Sequence, residues 1–222
     1  MAGNESFSTT LLRDLTHELR NPLAGIATAA EALSVVDGAD DRQELVAMIL
    51  RETGRLERLI ANLLDMSRLD GGGLSPQMDW CTPEELVGGA VRECGHLLDG
   101  IDLRIDLRAA PQLVRADPVL TERILVNLLQ NAVRHGAAPV TITGRPAGGR
   151  YEIAVADDGP GVHRDVLPSV FEPFVHREGE GLGLGLPLCV RLARAQDARL
   201  RHDPTPAGAR FTLSLTTAEG GR

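Results

Sequence analysis

Leu15-Thr16-His17-Glu18-Leu19-Arg20-Asn21-Pro22-Leu23 is the stretch from which the rest of the chain can be read. It lies in an apolar pattern of alternating three and four spacing: Leu12, Leu15, Leu19, Ile26 and Leu33, with Pro22 and Ala29 at the remaining seam positions. That period belongs to a helix of a coiled coil or helix bundle. His17 falls away from the seam, on the exposed side of the wheel. Glu18 follows it directly, and Asn21 lies one turn on, close to the same face. Pro22 removes a backbone donor in mid-helix and is expected to kink or loosen the helix just after the histidine. An exposed histidine beside an acid on a bent helix suits phosphoryl acceptance. A solvated surface histidine is the other reading of these residues.

Working outward, 222 residues allow one or two domains. A hydrophobic content of 43% and a charged content of 24% are ordinary for a soluble globular protein. Aromatics make up only 3%, so the core must rest on Leu, Val, Ile and Ala. A net charge of −8 argues against a general nucleic-acid binder. Apart from the histidines, every basic residue is Arg. Cys81, Cys94 and Cys189 have no metal-ligand spacing and read as small apolar fillers in a reducing compartment. No apolar run approaches the roughly 18 residues that span a bilayer, and Met1 to Ser6 is polar and unlike a signal peptide. The expectation is a cytoplasmic segment without membrane contact of its own, whose full-length protein could still be membrane-anchored.

The first helix is expected over residues 6 to 35, with a turn at Asp37, Gly38 and Asp40. A second helix follows over 41 to 69, where Leu45, Ile49, Leu56, Leu59, Leu63 and Met66 keep the same period. Two antiparallel amphipathic helices leave an apolar stripe uncovered, and pairing two chains into a four-helix bundle would cover it. A homodimer is therefore expected; packing of the stripe on the chain's own second domain is the alternative. Gly71-Gly72-Gly73 opens a linker, and Thr82-Pro83-Glu84-Glu85 is a capping box with Pro at the first helical position. Helices near 83–98, 119–134 and 186–195 alternate with strands near 101–107, 113–114, 140–143, 151–156, 199–201 and 211–215. The fold class is α+β: a helical hairpin over 1–70, a linker over 71–81, an α/β sandwich over 82–217 and a disordered tail over 218–222.

Within the second domain, Asn127 and Asn131 are four apart and Arg134 three further on, all on one helical face. Amide oxygens can coordinate a hard cation and Arg can pair with phosphate, so the face suits a magnesium-bound polyphosphate. A plain exposed polar face has the same spacing. Asp157-Asp158-Gly159-Pro160-Gly161 follows a strand; its glycines allow close approach of backbone to ligand, and its carboxylate can accept from an exocyclic amine. Read by itself it could be only a turn. Gly181-Leu182-Gly183-Leu184-Gly185-Leu186 opens a helix whose bare amides favour phosphate.

These segments, in this order, resemble the boxes of bacterial sensor histidine kinases. His17 to Leu23 is similar to the phosphoacceptor box, Asn127 to His135 to the N box and Asp157 to Gly161 to the first glycine box. Phe171-Glu172-Pro173-Phe174 looks like the F box, Gly181 to Leu186 like the second glycine box and Gly208-Ala209-Arg210-Phe211, more weakly, like a third. Leu63 to Leu69, the three glycines, Trp80 and Glu84 to Val87 look like the same region of KdpD-type sensor kinases.

The resemblance implies a GHKL-type ATP-binding domain behind a dimerisation hairpin. It implies ATP and Mg²⁺ as cofactors, with Asp157 reading the adenine amino group, Asn127 and Asn131 on the metal, and Arg134, Gly159, Gly161, Gly181, Gly183 and Gly185 about the nucleotide. It implies His17 as phosphoryl acceptor, Glu18 as its proton partner, Asn21 in dephosphorylation of the partner, and a response-regulator aspartate as the next acceptor. Three features depart from the pattern: Arg134 where Lys is common, a segment between Phe174 and Gly181 that is short for an ATP lid, and Pro187 in a helix start. An inactive docking scaffold, or an ATPase or serine kinase sharing the nucleotide fold, are the rival readings.

Overall fold

The structure is a computed structural model; it describes residues 2–70, 75–107, 113–135, 139–175 and 183–218, without the side chains of 2–15, 17, 18, 68 and 70. The chain divides into two units, Met1–Ser67 and Arg68–Arg222.

The first unit is a helical hairpin of α1 (Ala2–Leu33) and α2 (Ala39–Asp70). α1 runs without interruption through Pro22. The turn between them is tied by Ser34 Oγ donating to the Glu31 carbonyl (2.6 Å) and Arg42 Nε donating to the Val36 carbonyl (3.0 Å). The seam read from the sequence is the inner face: Pro22, Ala29, Leu59 and Met66 are buried. At Gly25 the helices run close: a Cβ there would come within 3.3 Å of Glu52 Cγ, a contact that a small shift of that side chain relieves. Beside this seam α2 carries a second apolar row, Val46, Leu50, Ile60 and Leu64, exposed by 45, 67, 47 and 54%. Among the described residues no helix is long and apolar enough to cross a membrane.

The second unit is a seven-stranded mixed sheet with three helices, α3 (Pro83–Glu93), α4 (Pro118–His135) and α5 (Gly185–Ala195). Its strands are β1 (Asp79–Cys81), β2 (Leu103–Asp106), β3 (Val114–Ala116), β4 (Val140–Ala147), β5 (Arg150–Ala156), β6 (Arg199–His202) and β7 (Arg210–Thr217). The order is β1-β3-β7-β5-β4-β2, with β6 also beside β7; among the described strands only β2 and β4 pair in parallel. Tyr151, Ile153 and Val155 alternate inward from β5, and Leu213 and Leu215 from β7, to meet Leu86, Ile124, Leu128, Leu188 and Leu192 from the helices. This is the two-layer α/β sandwich expected from the sequence.

The boundaries differ from the sequence reading in instructive places. β1 lies inside the stretch expected to be linker; three residues cannot show a period, and the strand exists because β3 is there to pair with. β4 runs on through Pro146 to Ala147, beyond the strand expected near 140–143. β2 ends opposite Thr143, so among the described residues nothing pairs with the far edge of β4 at Pro146, where a missing N–H costs no ladder bond. α3 stops at Glu93, and a 3₁₀ turn (Gly95–Leu97) covers most of the rest of the helix expected to 98. Of the expected tail, 219–222 lie outside the described residues, while the Ala218 N–H donates to the Leu113 carbonyl (3.3 Å).

Candidate active site

α4 carries the first group of candidate residues. Its start is fixed by Asp117, whose Oδ1 accepts from the Leu120 N–H (3.0 Å). Two to four turns on, Asn127 and Asn131 are half-buried and Arg134 is exposed. Asn127 Nδ2 donates to the Arg123 carbonyl (3.3 Å), which leaves Oδ1 turned toward Gly185 at the start of α5. A Cβ at Gly185 would lie 2.9 Å from that oxygen, so a larger residue there would displace the Asn127 amide. Asn amide oxygens are hard neutral ligands, so Asn127 and Asn131 fit a Mg²⁺ ion held jointly with phosphate.

The second group gathers at the end of β5. Asp157 is half-buried; its Oδ1 accepts from the Gly159 N–H (3.0 Å) and the Ala209 N–H (3.3 Å). Its own N–H donates to the Ala209 carbonyl (3.0 Å). Both bonds fall on one oxygen, and among the described residues Oδ2 accepts none, so it remains open to a donor from a ligand. Gly161 and Gly208 close the turn at positive φ, +74° and +69°. A Cβ at Gly208 would run into the Asp157 carbonyl oxygen. Gly208 is not among the site residues expected from the sequence. The signal was the weak third glycine box, and its meaning needs the pairing of β5 with β7.

The third group ties the F box to the second glycine box. Phe174, at φ +64°, donates its N–H to the Gly183 carbonyl (3.1 Å). Phe171 packs edge-on against Phe211 of β7 at 6.2 Å between ring centroids. Among the described residues no side chain caps the α5 N-terminus: Leu184 stands at the N-cap position and makes no such bond. Uncapped amides at a helix start are the feature that receives phosphate. Pro187 is buried in this first turn, where its missing N–H is tolerated. Gly181 and the short segment after Val175 lie outside the described residues.

On the hairpin, positions 17 and 18 belong to α1, and their side chains lie outside the description. Their neighbours fix the faces. Asn21 and Ala24, which follow position 17 on the wheel, are exposed; Pro22 is buried and Leu19 and Ile26 are half-buried. The structure thus brings Asn127 to Gly185, Asp157 to Gly159 and Ala209, and Phe174 to Gly183.

These features match known families. Residues 8–72 match the family described as His Kinase A (phospho-acceptor) domain, and residues 116–219 that of the histidine kinase-, DNA gyrase B-, and HSP90-like ATPases. The chain belongs to the sensor histidine kinase family. This kinase is 31% identical to signal transduction histidine-protein kinase AfsQ2 of Streptomyces coelicolor over 97% of its own length and 43% of that relative. It is 34% identical to sensor protein KdpD of Mycobacterium tuberculosis over 94% of its own length and 26% of that relative. The kinase chain therefore spans less than half the length of either. The solved structure of full-length ShkA in complex with AMPPNP superposes with a TM-score of 0.67 at 28% identity, covering 95% of this kinase and 46% of ShkA. Cys81, Cys94 and Cys189 of this kinase are free and buried, in keeping with a role as core fillers.

Proposed function

We propose that this chain is the catalytic core of a protein-histidine kinase that phosphorylates itself on His17 from ATP and passes the phosphoryl group to an aspartate of a response regulator. The observation that carries the reading is Asp157: one carboxylate oxygen is pinned by two backbone amides and the other is open, beside a glycine turn, in a chain that also bears His17-Glu18-Leu19-Arg20-Asn21-Pro22 on α1.

Asp157 Oδ2 accepts from the adenine amino group. Gly159, Gly161, Gly181, Gly183 and Gly185 let backbone amides reach the phosphates, with Arg134 adding positive charge. Mg²⁺, held by Asn131 and Asn127, would neutralise phosphate charge as the γ-phosphoryl group leaves. His17 Nε2 attacks phosphorus in line; the N–P bond forms as the bond to the β-phosphate oxygen breaks and ADP departs. Glu18 holds the Nδ1 proton and accepts it, which fixes the reactive tautomer. Catalysis is chiefly positioning and charge stabilisation. Asn21 can orient a water for hydrolysis of the phosphorylated regulator, but its amide is no proton acceptor near neutral pH. The exposed row on α2 seats a second copy of the chain, so the working unit is a homodimer.

The test is label from γ-³²P-ATP. His17→Gln abolishes incorporation and keeps ADP binding; the label on the unaltered chain is acid-labile and alkali-stable, as a phosphoramidate is. Asn21→Ala keeps the label but loses regulator dephosphorylation, and Glu18→Ala impairs labelling more than dephosphorylation. Label that survives acid, or persists in His17→Gln, sinks the assignment.

A further inference from the structure

α4 and α5 lie antiparallel, joined at three levels. At one end Asn127 Oδ1 faces Gly185. Midway the Cys189 thiol, its pKa pushed up to about 12 by burial, stays protonated and donates to the Ile124 carbonyl at 3.9 Å. At the other end Gln196, just past the C-terminus of α5 and only 3% exposed, reaches back to the start of α4. Its Oε1 accepts from the Asp117 N–H (2.8 Å) and the Thr121 hydroxyl (3.0 Å). The Asp117 N–H can only donate, so the orientation of the Gln196 amide is settled. Nε2 is buried and makes no hydrogen bond among the described residues.

A side chain that accepts two bonds but leaves its buried amide nitrogen unused adds little net stability. What it does fix is distance along the seam. Asp117 is itself held on both sides: Oδ1 caps α4, and Oδ2 accepts from the Gln77 N–H (2.6 Å) in the stretch leading to β1. Gln196 therefore grips a point held from two sides, and α5 is a single helix of 11 residues between that grip and Gly185. At 1.5 Å per residue it carries a fixed register about 16 Å to the glycine. That register sets Gly185 opposite Asn127 Oδ1, which would lie 2.9 Å from a Cβ at this position.

We propose that Gln196 is a positioning residue for nucleotide binding, setting the register of α5 on α4 so that Gly185 and Asn127 face the same phosphate groups. This rests on the reading of Asn127 and the glycines as nucleotide ligands.

The experiment is titration of the 222-residue chain with Mg-ADP, alongside urea unfolding of each variant. Gln196→Met keeps the volume and removes the acceptor; Thr121→Val removes one of its two donors. Ile142→Val, a buried truncation in β4 away from the seam, controls for lost stability. We expect Gln196→Met to raise the ADP Kd at least about fivefold, Thr121→Val at least about twofold and Ile142→Val less than about twofold, effects of the size that residues touching no ligand exert on binding. A smaller rise in Gln196→Met, or an equal one in Ile142→Val, overturns the proposal. Should Gln196→Met not unfold cooperatively, Thr121→Val decides by the same threshold of about twofold. Absence of Mg-ADP binding by the unaltered chain removes the nucleotide reading itself, and this inference with it.

Discussion

At the scale of single residues, the glycines separate two demands that look alike in sequence. Gly148 and Gly208 both sit at positive φ, +56° and +69°. Around Gly148 a Cβ would meet nothing within 4 Å; at Gly208 it would collide with the Asp157 carbonyl oxygen. Gly148→Ala should therefore cost only the left-handed strain, about 1 kcal/mol. Gly208→Ala adds overpacking of about 1–3 kcal/mol and should also weaken ADP binding by more than about tenfold, because Asp157 must move to make room. Urea unfolding and ADP titration of the two variants check this; equal effects on binding would mean that Gly208 serves the turn alone. The sequence could name Asp157, since a carboxylate before Gly-x-Gly advertises itself. It could not name Gly208, whose need for a bare Cα comes from a strand more than fifty residues away.

At the scale of elements, what was legible is what local physics decides. α1 and α2 show their period, and α3 shows its cap. In the structure Thr82 Oγ1 accepts from the Glu85 N–H (3.2 Å) while Glu85 Oε2 accepts from the Thr82 N–H (3.0 Å). Hydrogen bonding to the Thr82 backbone and side chain holds the Glu85 carboxyl below its usual range. Thr82→Ala should lower the unfolding free energy by about 1 kcal/mol with little change in ADP affinity; a large loss of affinity would mean that α3 communicates with the nucleotide site. What stayed hidden was decided by partners distant in sequence. β1 depends on β3, the strand character of Pro146 on where β2 ends, and the grip of Gln196 on helices folded side by side. A glutamine after an amphipathic helix carries no local mark of such a role.

At the scale of the whole molecule, the exposed row of Val46, Leu50, Ile60 and Leu64 predicts assembly. Burying four such side chains against a second copy removes apolar area worth roughly 1–2 kcal/mol each, enough to oppose the cost of association. Sedimentation equilibrium at roughly 50 µM, where an assembly of micromolar Kd is mostly paired, should give twice the 23.8 kDa of one chain. Leu50→Glu with Leu64→Glu should return it to one; a wild-type monomer under these conditions would count against the bundle. The placing of β7 has a consequence for how such a chain is made. It is the last strand in sequence, yet it lies inside the sheet, bonded to β5 along one edge and to β6 and β3 along the other. While a ribosome is still adding residues, α1 and α2 can close on each other as soon as both have emerged. The sheet must wait, with β3 and β5 lacking their common neighbour, until 210–217 have cleared the exit tunnel. Birth of the two units is therefore sequential: the hairpin, with its exposed row, can meet that of a neighbouring nascent chain before either copy has a finished sheet.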